Sequence, residues 1–203
     1  MKKCSRIISW IVLVSFLTSS TLLFSSHQNF PIREEEHEII LNLRKEFKYA
    51  LKDSKKNAEL IELVEGKYQS DPLTFPATIL AYYGALIGLR AKHAFFPNEK
   101  LRYLIKSLQL MDEAVKKDDA ELETHFLRFS SLHHMPSVLS IPRKRREDIS
   151  RIIELLQKRD VAGMDPSFQL VIIDFMLQSM RLNKEQSETL GSMKKIISGQ
   201  NQD

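Results

Sequence analysis

Glu121 and His125 stand one helical turn apart, and His133 and His134 follow on what reads as the same helix. His93, His125 and His133 are the combination suited to zinc, since imidazole and carboxylate both suit that ion. No HExxH or comparable spacing accompanies them. The plainer reading is helix-end and surface histidines, with His133 and His134 at a C-terminus where positive charge is favourable. No resident metal or cofactor is expected. Arg128, set among Phe126, Leu127 and Phe129, must pair if its helix packs centrally, with Glu121, Glu123 or Asp112 as candidates, or else face a ligand groove. Arg143-Lys144-Arg145-Arg146 is the densest basic run. It suits anionic headgroups, or, more plainly, forms a solvated loop before a helix whose Glu147 and Asp148 complement the dipole.

Catalytic signatures are missing from the sequence. It has no Gly-rich phosphate loop and no G-x-S-x-G, and the single cysteine, Cys4, lies in the leader. A disulfide framework or thiolate site in the folded part is excluded, and a non-catalytic role is expected. Lys2, Lys3 and Arg6 are the only charges in residues 1–26; the rest carries 27 basic and 26 acidic groups. The basic pI of 9.1 therefore owes much to the leader, and nucleic acid is not an expected partner.

These side chains must be positioned by helices. Leu, Ile, Lys, Glu, Gln and Met dominate, glycines number six, and such residues lose little rotamer freedom in a helix. Residues 1–26 have the layout of a signal peptide or membrane anchor. A cationic start precedes the apolar run Ile7–Leu17, whose Ile7, Trp10, Leu13 and Phe16 would meet lipid. Thr18-Ser19-Ser20 offers small residues for cleavage, whereas the uncharged stretch 7–26 is long enough to cross a hydrocarbon layer if kept. Export across, or anchoring in, a bacterial cytoplasmic membrane is expected, with the folded part in the periplasm or outside. Residues 27–32 read as a linker and 33–203 as a single helical-repeat domain.

Within that domain, apolar stripes of helical period alternate with breakers. Ile39, Ile40, Leu43, Phe47 and Leu51 mark one inward face, and Leu101, Leu104, Ile105, Leu108 and Met111 another. Residues 72–89 are uncharged, but Pro72 and Pro76 leave too short a helix to span a bilayer. A central core helix is expected, with Gly84 and Gly88 admitting a neighbour. Asp71-Pro72, Asp118-Asp119 and Asp165-Pro166 begin 47 residues apart, twice in succession. Ile79, Phe126 and Ile173 fall at matching offsets, as do Tyr82, Phe129 and Met176; in the second helices Ile105 matches Ile152 and Leu108 matches Leu155. Such a period predicts stacked helical hairpins.

Ser107-x3-Met111-x2-Ala114 running into Asp118-Asp119, with Gly84 and Gly88 before it, resembles the second helix of a tetratricopeptide repeat passing into the next unit. The period is 47 rather than 34, and Asp119 stands where proline is usual. The resemblance implies an all-α fold of antiparallel hairpins stacked as a short right-handed superhelix, and a peptide- or protein-binding groove. The expected groove is a concave face of the first helix of each pair, bearing Tyr82, Tyr83, His125 and Arg128, and contacting an envelope protein or peptide. A small-molecule or metal-binding envelope protein, even an enzyme without a recognisable motif, is the alternative. Oligomeric state is left open.

Overall fold

The computed structural model describes residues 34–68, 71–135, 141–158 and 164–200. The expected leader with Ile7, Trp10, Leu13 and Phe16, and the linker 27–32, lie outside them. Among the described residues the regular structure is all helical: α1 (Glu34–Ala50), α2 (Ser54–Tyr68), a 3-10 turn (Pro72–Thr74), α3 (Ala77–His93), α4 (Pro97–Lys117), α5 (Leu122–His134), α6 (Pro142–Lys158), α7 (Pro166–Gln178) and α8 (Lys184–Gln200). No helix among them is long and apolar enough to cross a membrane.

Local chemistry sets the helix ends. Proline opens α4, α6 and α7, where its missing N–H costs nothing and its fixed φ suits the first turn. Asp53 and Asp165 accept from the backbone N–H of Lys55 and Ser167, at 2.8 and 2.7 Å. Asn183 and Gln186 cap α8 reciprocally: the Gln186 N–H donates to Asn183 Oδ1 at 2.8 Å, and the Asn183 N–H donates to Gln186 Oε1 at 3.0 Å.

Consecutive helices pair as α3–α4, α5–α6 and α7–α8; α3 also packs on α5, and α6 on α8. The uncharged stretch is the central core helix expected, α3 being buried continuously from Thr78 to Ile87. One apolar cluster joins α1 to α4 and takes Leu127 from α5. A second joins α5 to α8 around Leu122, Phe129, Ile152, Ile173 and Met176. Helix α5 therefore carries an apolar face for each cluster and a buried polar seam, Glu123, Thr124, His125 and Arg128.

The 47-residue offsets map unevenly onto the packing. Tyr82, Phe129 and Met176 are all buried, as are Ile152 and Leu155 of α6, whereas Leu108 is half-buried and Ile105 is 45% exposed. Met111 is buried as expected, but of the rest of that stripe Leu101 and Ile105 are exposed and Leu104 and Leu108 half-buried; Ser107, Leu110, Ala114 and Val115 turn inward beside Met111 instead. The difference is roughly a quarter turn at about 100° per residue. The glycines of α3 supply the reason. A Cβ at Gly84 would sit 3.0 Å from Met111 Cγ and 3.3 Å from the Ser107 carbonyl oxygen, and one at Gly88 would sit 2.8 Å from Ser107 Oγ. Close backbone approach of two small-residue faces fixes the roll of α4, and its larger apolar residues are left outside.

Candidate functional site

Arg128 is buried and fully engaged. Its Nε donates to Asp148 Oδ2 at 3.0 Å, its Nη2 to Asp148 Oδ1 at 2.7 Å and its Nη1 to Asp112 Oδ1 at 3.0 Å. Lys144 of α6 contributes a second cation to Asp112. On the other side of Asp148, His125 Nδ1 lies 2.9 Å from Oδ1, and His125 Nε2 lies 3.0 Å from the Asp119 carbonyl oxygen. Arg151 Nε donates to that same carbonyl at 2.9 Å. The chain of contacts ties α4, α5 and α6 together through groups that have left water, so each charge has a close counter-charge. Burial pulls the Arg128 pKa down, but Asp148 and Asp112 more than offset it.

A second buried carboxylate lies one turn earlier. Tyr82 of α3 donates to Glu123 Oε1 at 2.5 Å. Arg44 of α1 grips Glu123 from above, Nε at 2.9 Å from Oε1 and Nη2 at 2.5 Å from Oε2. The Arg44 guanidinium also lies 4.8 Å from the Phe168 ring centre of α7, and Phe47 meets Tyr82 edge to face at 5.7 Å. Helix α1 thus reaches side chains of α3, α5 and α7, the first helices of the three pairs. Burial, then the Glu123 charge and bond, push the Tyr82 phenol well above its ordinary pKa. Burial and the neighbouring Glu123 raise Glu121 to about 7.

The side chains expected to line a partner groove therefore point into the molecule. Tyr82, His125 and Arg128 sit in these two networks, and Tyr83, also buried, donates to Glu65 Oε1 at 2.6 Å. Each of the four is engaged with another side chain of the molecule. Of the zinc alternative, His125 has both ring nitrogens engaged, and His133 lies eight residues along α5, roughly 12 Å away at 1.5 Å per residue. Among the described residues no group of three His, Cys, Asp or Glu could hold a metal ion. His93 instead borders a cleft of about 220 Å³ that includes Ser54, Asn57, Arg90, Glu99 and Tyr103.

What sequence reasoning missed is on the outside. Leu101 is 44% and Ile105 45% exposed, one turn apart on α4. Phe95 and Phe96, 86% and 57% exposed, stack edge to face at 5.2 Å where that helix begins. Lys100, Arg102 and Lys106 flank the ridge and are exposed. A visible signal did exist: Ser107, a small residue on α4, meets both α3 glycines. The basic run Arg143–Arg146 is not a loop but the first turns of α6, where Lys144 meets Asp112 and Arg143 Nε lies 3.7 Å from Glu147. No family model matches the chain, and neither a curated protein nor a solved structure matches it.

Proposed function

We propose that the chain is a non-catalytic protein-binding module of the bacterial cell envelope. In this reading its helical hairpins stack as a tetratricopeptide-like superhelix, carried outward or held at the membrane by residues 7–26. Its docking element is the outer ridge of α4 rather than the first-helix face, because that face is closed by internal ion pairs and by α1. The observation that carries the proposal is the exposed set Phe95, Phe96, Leu101 and Ile105. Exposed apolar side chains gathered along one helix with a charged rim mark contact surfaces.

The rim specifies the partner's chemistry. Residues 97–109 contain Lys100, Arg102 and Lys106 against the single acid Glu99. The complementary occupant is an amphipathic helix with apolar residues at i and i+4 and acidic flanks. Covering the exposed halves of Leu101 and Ile105 is worth about 1 kcal/mol each, and the two phenylalanines add more, which suits a micromolar contact.

Fluorescence anisotropy with two synthetic helical peptides, identical in apolar residues but acidic or basic on the flanks, tests this. The acidic peptide is expected to bind at least about tenfold more tightly than its basic isomer. It should lose roughly thirtyfold on L101E/I105E, two exposed positions whose substitution leaves the fold intact. Equal binding of both peptides, or unchanged binding to L101E/I105E, contradicts the proposal. A reporter fused after Asp203 tests the compartment: it should be active only outside the cytoplasm.

A further inference from the structure

The cleft beside His93 opens where α2 begins, α3 ends and α4 begins, and measures about 220 Å³. Clefts for drug-sized ligands run to roughly 300–1,000 Å³, so its occupant is small. Arg90 from the last turn of α3 and Glu99 from the first turn of α4 both line it, and both are half-buried. Their charges are opposite and they border one space. Yet neither forms an ion pair or a side-chain hydrogen bond among the described residues.

Asn57 of α2 completes the polar lining. It is 2% exposed, and its Oδ1 is buried without a hydrogen-bond partner. The backbone N–H of the same residue is satisfied by the Asp53 carbonyl at 3.0 Å, so the unmet demand is the side chain's alone. A buried amide without a partner lowers stability, as does a charge partly withdrawn from water with no counter-ion. Three helices each bring one such group to the same cleft. Local losses gathered in one place are the mark of a site built for something other than folding.

The charges specify the ligand. An anion alone would be drawn to Arg90 and repelled by Glu99, and a cation alone would meet the reverse. A molecule carrying both charges satisfies both. The rest of the lining includes Ala58, Ala94 and Tyr103. Tyr103 packs against the first apolar cluster and is held there. Such walls suit a short, neutral, apolar substituent.

We propose that this cleft binds a free α-amino acid with a short apolar side chain. Its carboxylate meets Arg90, its ammonium meets Glu99, and the Asn57 amide, which can donate or accept, hydrogen-bonds to it. Glu99 and Tyr103 each lie two residues from Leu101, about 200° around α4, so the site is independent of the ridge on that helix.

Isothermal titration of the full chain in non-ionic detergent tests this, with L-alanine, L-valine and L-leucine as probes. At least one should bind with a Kd below about 1 mM. Two relatives of leucine each lack one charge: L-leucinamide has no carboxylate and 4-methylpentanoate no ammonium. Each should bind at least about tenfold more weakly than L-leucine, the loss of one charge-assisted hydrogen bond. R90Q and E99Q should each weaken the amino acid by a similar factor. N57L keeps the bulk and removes the amide, so it should weaken binding about tenfold without lowering Tm, because an amide that bonds nothing in the fold is no loss to it. No binding of the three amino acids up to about 10 mM overturns the proposal. Equal binding of L-leucine and either of its singly charged relatives also overturns it, as does unchanged affinity in both R90Q and E99Q. A lowered Tm for N57L with affinity retained contradicts the role given to Asn57.

Discussion

Replacing Asp148 by asparagine keeps the shape of a fully buried side chain and removes its charge. Asp148 faces Arg128 through three hydrogen bonds and His125 through a fourth contact. Without that charge, Arg128 keeps only Asp112, which Lys144 already shares. Breaking one partner of a buried pair typically costs 3–5 kcal/mol. The residual Asp112 contact puts D148N at the lower end, about 3 kcal/mol. For a domain of this size that is a fall in Tm of about 6–12 °C. Urea denaturation of D148N, R128M and the double variant measures the effect and the coupling together. The double variant should be more stable than the two single losses sum to, because R128M removes the charge that D148N strands. A loss below about 1 kcal/mol for D148N, or strict additivity, would refute the reading of this network as buried and mutually compensating.

The remaining outcomes concern the elements around the network. Glu121 titrates near 7 when folded against an ordinary 4.5. Between those values the unfolded chain ionises first, so the stability that the Glu121 carboxyl contributes is fullest below pH 4.5 and is lost as pH rises through 7, by up to about 3 kcal/mol. Chemical denaturation across pH should show that decline, and E121Q should flatten it. R44A leaves the buried Glu123 with Tyr82 alone; a loss of about 2–3 kcal/mol, with hydrogen exchange fastest across residues 34–50, is expected. G84A places a Cβ against Met111, Leu110 and the Ser107 backbone and should cost about 1–3 kcal/mol in thermal melts. G88A meets only the Ser107 side chain, so the better helix propensity of alanine should leave G88A/S107A close to the original stability.

Much of this architecture is legible in the sequence, because helix ends are local. Pro142, Asp165-Pro166 and the Asn183–Gln186 cap each act within a few residues of themselves. The uncharged stretch 72–89 likewise announces a core helix through Pro72 and Pro76. The roll of α4 was not legible from apolar period alone. Leu101, Leu104, Ile105 and Leu108 form a regular stripe, yet the contact is decided by Gly84 and Gly88 against Ser107, where size outweighs hydropathy. The inward pairing of Arg128 was half legible. Asp112 stands one helix earlier and was nameable, but Asp148 is reached only when α6 folds back. The Arg44–Glu123 pair, 79 residues apart, had no signal in spacing at all, and with it went the closure of the first-helix face by α1.

Site-specific photo-crosslinking in intact cells, comparing a probe at Ile105 with one at Tyr83, tests most directly where this protein meets its partner. The Ile105 probe is predicted to give one discrete product whose crosslinked peptide maps to an acidic amphipathic segment of another protein, while the buried Tyr83 probe gives only intramolecular links. A partner captured from Tyr83 but not from Ile105 would contradict the account.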